Sequence, residues 1–316
     1  MHVNKRICLP ALALSIAASM MIMRAAMASK AESGMPRDYQ QILTTLGRQG
    51  DFKDNVLKIS LPRNDLKVKV EGMAMPTAFG FGGWVAVTKG SGGKDVLMGD
   101  LVLQQKEVNP VMSALLDNGL EVTALHNHFF FEEPRIFYMH VMGNGTASDL
   151  AKKVKPALDL ILAAHSSLAE SKAENPQIDA QKIAAIIGHK GEPSGTVYKI
   201  TVGRDDLKVK HMGAVINTRM GLNTWAAFAG TDSNAAIAGD VAMLEGEVTP
   251  VLKALRSHGI DVVAIHHHMI DTAPTIIFLH YWGKGTAAKL ATGFKAALDE
   301  LGKPERTRGT VPMPMF

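Results

Sequence analysis

Six histidines stand in two matching sets, His126, His128 and His140 in the first half of the chain and His266, His268 and His280 in the second. Neutral imidazole is a good ligand for borderline metal ions. Residues two apart in a strand share a face, so each His-x-His pair can present two nitrogens to one point. An antiparallel return after a turn near Glu132 and Glu133 would carry His140 onto that face. Glu107 opens a helix of about a dozen residues that climbs roughly 18 Å, and the strand from Leu120 to His126 descends about as far. The expectation is therefore one site per repeat: Glu107, His126, His128 and His140 in the first, and Glu247, His266, His268 and His280 in the second. Three imidazoles with a carboxylate suit a divalent transition metal such as zinc, copper, iron or manganese, and the affinity order of these ions leaves the choice open. Asp100 and Asp240 are further candidates, as ligands or as acceptors that fix a histidine tautomer. If the metal activates water for hydrolysis, Glu107 or Glu132 would act as base.

Two other readings fit the same residues. In one, the protein is a non-catalytic envelope module that binds a glycan or peptide between its repeats, with Trp84 and Trp225 stacking on a sugar or filling the core. In the other it is a structural pseudo-dimer without metal, its histidines hydrogen-bonded within a sheet. The partner would be a small molecule or a cell-envelope component. A net charge of +4, spread through mixed acidic and basic residues without a basic stripe, argues against nucleic acid. Neither a Gly-x-Ser-x-Gly elbow nor a Walker lysine occurs, so the glycine runs at 80–83 and 90–93 read as turns. His165, His189, His211 and His258 have no counterpart histidine in the other half and read as structural or solvated.

The elements that must position these residues come twice. Asp38 to Val68 recurs as Asp179 to Val209, Trp84 as Trp225, Gly99-Asp100 as Gly239-Asp240, and Glu107 to Pro110 as Glu247 to Pro250. Each copy opens with an amphipathic helix ended by a glycine, Asp38 to Leu46 and Asp179 to Ile187. Strands follow at Leu66 to Glu71, Trp84 to Thr88 and Val96 to Leu103. A helix capped by Asn109 or Thr249, with proline first, leads into the His-x-His strand, and Ile136 to Met142 returns to a last helix capped by Thr146. The fold class is thus α+β: two tandem pseudo-symmetric repeats, each about α-β-β-β-α-β-β-α, with a mostly antiparallel sheet. Repeat 1 spans 36–168 and repeat 2 spans 179–302, joined by a linker at 169–178 and followed by a flexible tail at 303–316.

Residues 1–28 read as a signal peptide: Lys5 and Arg6, an apolar run from Ile7 to Met23, then the small residues Ala26-Met27-Ala28. Cys8, the one cysteine, would leave with it, which suits an exported, periplasmic or secreted protein with no membrane span after cleavage. The stretches Glu107-Val108-Asn109-Pro110, Gly119 to His128 and Pro134 to His140 resemble the LppY/LpqO family of exported bacterial proteins. The likeness runs over both copies, from Asp38 to Leu301. The second copy departs from it with His267 for Asn127 and Thr275 for Arg135. The resemblance implies a location and a motif and no reaction, and lipid attachment does not carry over because the chain lacks a lipobox. His126-Asn127-His128 with Glu132 is also similar to the first cupin motif, but lacks the glycine after the glutamate and reads as convergence.

Overall fold

The computed structural model describes residues 34–163 and 176–303. The signal segment expected at 1–28, most of the linker and tail, Cys8 and His165 lie outside the described residues.

The first half contains α1 (Arg37–Leu46), β1 (Asp51–Lys53), β2 (Val56–Pro62), β3 (Val68–Val70), β4 (Met73–Met75), β5 (Gly82–Lys89) and β6 (Asp95–Gln104). It continues with α2 (Val108–Asp117), β7 (Glu121–His126), β8 (Glu132–Glu133), β9 (Ile136–Gly145) and α3 (Ala147–Ala163). The second half opens with α4 (Ala180–Ile187), β10 (Glu192–Ser194), β11 (Val197–Gly203), β12 (Val209–His211), β13 (Ala214–Ile216), β14 (Asn223–Gly230) and β15 (Ala235–Met243). It closes with α5 (Glu245–Ser257), β16 (Asp261–His266), β17 (Ile277–Gly285) and α6 (Ala287–Leu298). The two halves build matching six-stranded antiparallel sheets, ordered β1-β2-β5-β6-β9-β7 and β10-β11-β14-β15-β17-β16.

The leading helices form as their patterns require. Tyr39, Ile42 and Leu46 recur at helical spacing on the buried face of α1, and Gly47 takes the left-handed conformation (φ 62°) that ends it. In α4, Asp179 caps by accepting from the Lys182 amide at 3.0 Å. The second helix of each repeat starts earlier than its proline suggests. Pro110 is the third residue of α2 and Pro250 the sixth of α5, while Glu107 and Glu247 accept the Gln104 and Leu244 amides at 2.7 Å. These glutamates, rather than Asn109 or Thr249, set the helix entry. Strand β2 lies beyond the three strands expected before that helix. The expected strand at Leu66 to Glu71 is the short β3, in a separate small sheet ordered β4-β3-β8 that pins the Glu132–Glu133 segment.

Alternation along β9 decides the layers. Phe137, Met139 and Val141 face the helices, whereas Ile136, Tyr138, His140 and Met142 face the other half. Helices cover the outer face of each sheet and the inner faces meet, giving four layers. Two buried clusters at that interface mix residues of both halves, for example Phe79, Phe129 and Tyr138 with Ala236 and Trp282, and Met98 and Met142 with Met220 and Phe278. Full burial of such side chains contributes about 1.5–3 kcal/mol each. The halves therefore form one packed body.

Reciprocal contacts give this interface approximate twofold symmetry. Gly221 (φ 96°) abuts Trp84, where an added Cβ would meet the ring at 3.2 Å, and Gly80 (φ 149°) faces Trp225 at 3.7 Å. Among the described residues, no helix is long and apolar enough to cross a membrane.

Candidate metal centre

Strand register places the histidines. His126 pairs with Tyr138 and Ala124 with His140, so His126 and His140 share the inner face of their sheet. His266 pairs with Phe278 and Ala264 with His280 in the same way. Beyond β7, Asn127 donates to the Ile136 carbonyl at 2.6 Å, and Phe129 is buried in the mixed core. This tether turns His128 back under the sheet. Across the interface, Thr123 donates to the His268 carbonyl at 2.8 Å.

The expectation of one site per repeat is corrected here, because the inner faces oppose each other and the six histidines form a single cluster. The His126 and His266 rings stack across the twofold with centroids 3.9 Å apart. His128 lies between Tyr138 (3.2 Å) of its own half and His280 (3.5 Å) of the other. His268 likewise lies between Phe278 (3.4 Å) and His140 (4.0 Å). Three groups bring their ligand atoms within 4.8 Å of one another and can hold a metal ion: His126, His140 and His266; His126, His128 and His280; and Asp240, His266 and His268. The first two draw on both repeats.

All six rings are held neutral. Burial, reinforced by neighbouring imidazoles, drives His126, His128, His140 and His266 far below the usual histidine range. Burial also pulls His268 down to about 3 and lowers His280, against the opposing charge of Asp240. The His280 Nδ1–H donates to the Gly239 carbonyl at 3.1 Å, which leaves Nε2 as its free lone pair. Both ring nitrogens of His126, His128 and His266, together with Nε2 of His140 and His280, are buried without a hydrogen-bond partner.

Two aspartates adjoin the cluster. Asp240 Oδ2 lies 3.2 Å from His268 Nε2 and 4.0 Å from His280 Nε2. Asp100 pairs with His140 across the β6–β9 ladder, and burial together with Asp240 pushes its carboxyl up to about 8. Burial also raises Asp240, to about 6.

The glutamates go elsewhere. Glu107 is gripped by Arg63 at 2.8 and 3.3 Å, and Glu247 by Arg204 at 2.8 and 3.0 Å, with both arginines and both glutamates buried. The length-matching argument did bring each glutamate back into the core, but onto an arginine rather than an imidazole. Glu132 accepts from the Ile136 amide at 3.3 Å and from Asn127 at 3.5 Å, so it fastens the loop behind His128. Sequence reasoning missed Arg63 and Arg204, although both stand at matching repeat positions two residues before an aspartate. It also missed Tyr138 and Phe278, whose ring stacking no spacing rule announces.

Solved structures offer weak likenesses. The regulatory subunit of aspartate kinase from Thermus thermophilus is 14% identical, with 68% of this chain and 95% of that chain covered and a TM-score of 0.20. A trimeric bacterial microcompartment shell protein is 13% identical, with 77% and 87% covered and a TM-score of 0.17. At those scores neither likeness bears on fold or function. No curated protein matches the chain. Sequence and fold agree instead on a tandem unit, since one family matches residues 40–160 and again 181–300, the two similar halves seen in the structure. The chain belongs, through both copies, to the family described as Domain of Unknown Function (DUF1259).

Proposed function

We propose that the two repeats together form one divalent transition-metal centre, with donors from His126, His128, His140, His266, His268 and His280 and with Asp240 beside them. The observation that carries this is the set of buried imidazole nitrogens without partners. Each such group costs about 1–3 kcal/mol when left unsatisfied. A sheet-stabilising hydrogen-bond network would pair these nitrogens with acceptors, whereas here the rings stack on one another and their lone pairs stay open. A metal ion removes that cost, and neutral imidazole is the form it requires.

Within this reading the protein is exported, as its first 28 residues suggest, and acts as a metal-dependent hydrolase in the periplasm. Asp240, rather than Glu107 or Glu132, is the carboxylate placed to hold a proton beside the centre.

The test is metal analysis of the full-length protein purified without chelator and again after reloading. Stoichiometric metal is expected. His128→Ala and His280→Ala, which lie in different repeats but in one ligand group, should each lose the same metal, and the double variant should lose no more than either. Wild-type protein that holds no stoichiometric metal after reloading would overturn the proposal. Additive losses from the two substitutions would show separate sites.

A further inference from the structure

A cavity of about 270 Å³ adjoins the histidine cluster, with His128, His268, His280 and Asp240 in its wall. Two lysines at equivalent repeat positions, Lys58 and Lys199, also line it. Each lies over the tryptophan of its own repeat, with Lys58 Nζ 4.3 Å from the Trp84 ring centre and Lys199 Nζ 4.1 Å from that of Trp225. Among the described residues neither ammonium has an ion-pair or hydrogen-bond partner. Arg219 joins them in the lining; one of its terminal nitrogens binds Asp51, but its Nε is buried without a partner.

Gathering like charges around one small half-enclosed space is unfavourable unless something of opposite sign enters it. Burial and the nearby charges of Lys199 and Arg219 pull Lys58 down to about 8, and burial brings Lys199 to about 8 as well. Asp100 offsets part of this at Lys58, and Asp100 and Asp240 offset part of it at Lys199, but among the described residues neither carboxylate comes within ion-pair distance of an ammonium.

We infer that this cavity is the substrate pocket of the metal centre and takes a small oxyanion, a carboxylate or a phosphate, clamped between Lys58 and Lys199 with Arg219 at its side. The inference rests on the metal reading above and names the substrate class for that site. Size agrees with a small ligand. At ~30 Å³ per water the volume equals roughly nine waters, below the ~300–1,000 Å³ of pockets for drug-sized molecules. An anion held here would sit with one end on the ammoniums and the other toward His128, His268 and His280. It would thus lie beside Asp240.

The probes are inorganic phosphate and malonate, titrated calorimetrically into the metal-loaded full-length protein and into the chelated protein. At least one is expected to bind the loaded form. Lys58→Gln plus Lys199→Gln should weaken that binding at least about thirtyfold while leaving metal content unchanged. Preference for phosphate or malonate identifies the source of the oxyanion. If the loaded protein binds neither probe, or the double variant binds as tightly as wild type, the inference falls while the metal reading stands. Lysine-dependent binding to a protein that takes up no metal would sink the metal reading and the pocket's assignment as its substrate site together. Lys58→Arg plus Lys199→Arg should restore binding in part, which loss of structure would not allow.

Discussion

At the scale of single residues, Glu107 separates two reasons for a glutamate to recur before the histidine strand. As a ligand it would face the imidazoles; as observed, it holds Arg63 and the entry of α2. Removing it leaves a buried guanidinium short of one counter-charge. Breaking a buried pair this way costs about 3–5 kcal/mol, and the low end applies because Asp65 still faces Arg63. Glu107→Ala should therefore lower stability to urea by about 3 kcal/mol with bound metal unchanged. Loss of metal at unaltered stability would restore the glutamate to the centre. The sequence exposes the recurrence of Glu107 and its approach to the core, but not its partner. Arg63 and Arg204 recur just as faithfully, and nothing in a single chain says which of several recurring polar residues will meet.

At the scale of elements, the long strands β5, β6, β7 and β9, the short β3 and both cap glycines of the leading helices follow from periodicity and turn chemistry, whereas β2 and the pairing of β3 with β4 and β8 do not. Val56 to Pro62 mixes apolar residues with Lys58 and Ser60, and its pattern makes sense only once Lys58 is known to line a cavity. Close backbone approach is equally silent. Gly239 in β15 leaves no room for a side chain, since a Cβ there would fall 2.0 Å from the Trp225 carbonyl oxygen and 2.2 Å from the Tyr281 hydroxyl. Gly239→Ala must push β15, which carries Asp240, away from Trp225 in β14, an overpacking cost of about 1–3 kcal/mol or more. Gly82 in β5 has open space around it, so Gly82→Ala should stay within about 0.5 kcal/mol of wild type. Chemical denaturation of the two variants checks this, and equal effects would mean that β14 and β15 yield more readily than the tight contacts imply.

On the scale of the whole molecule, a duplicated sequence shows that two similar surfaces exist but not that they face each other. The symmetry that turns two expected sites into one cluster lies in the packing of the inner sheet faces, whose apolar residues read in sequence like those of any other core. Concentrating six neutral histidines there makes stability depend on pH. In the unfolded chain each imidazole takes a proton near pH 6.5, whereas in the fold its affinity for protons is lowered. The unfolded state therefore binds more protons below about pH 6.5, and stability is kept above that value and lost as pH falls beneath it, at about 1.4 kcal/mol per pH unit for each ring that stays neutral. Asp100 and Asp240 act in the opposite sense, because their raised values let the fold bind protons that the unfolded chain releases. Two carboxyls offset only part of six imidazoles. The chelated protein should thus lose several kcal/mol between pH 7 and pH 5.5, a large share of the ~5–15 kcal/mol that holds a typical domain. Thermal melts across that range should show a steep fall in Tm, and alanine at His126 and His266 together should flatten it. A flat profile in the chelated wild-type protein would mean that the rings gain protons without leaving the fold, and the picture of a dry, neutral imidazole cluster between the sheets would have to be given up.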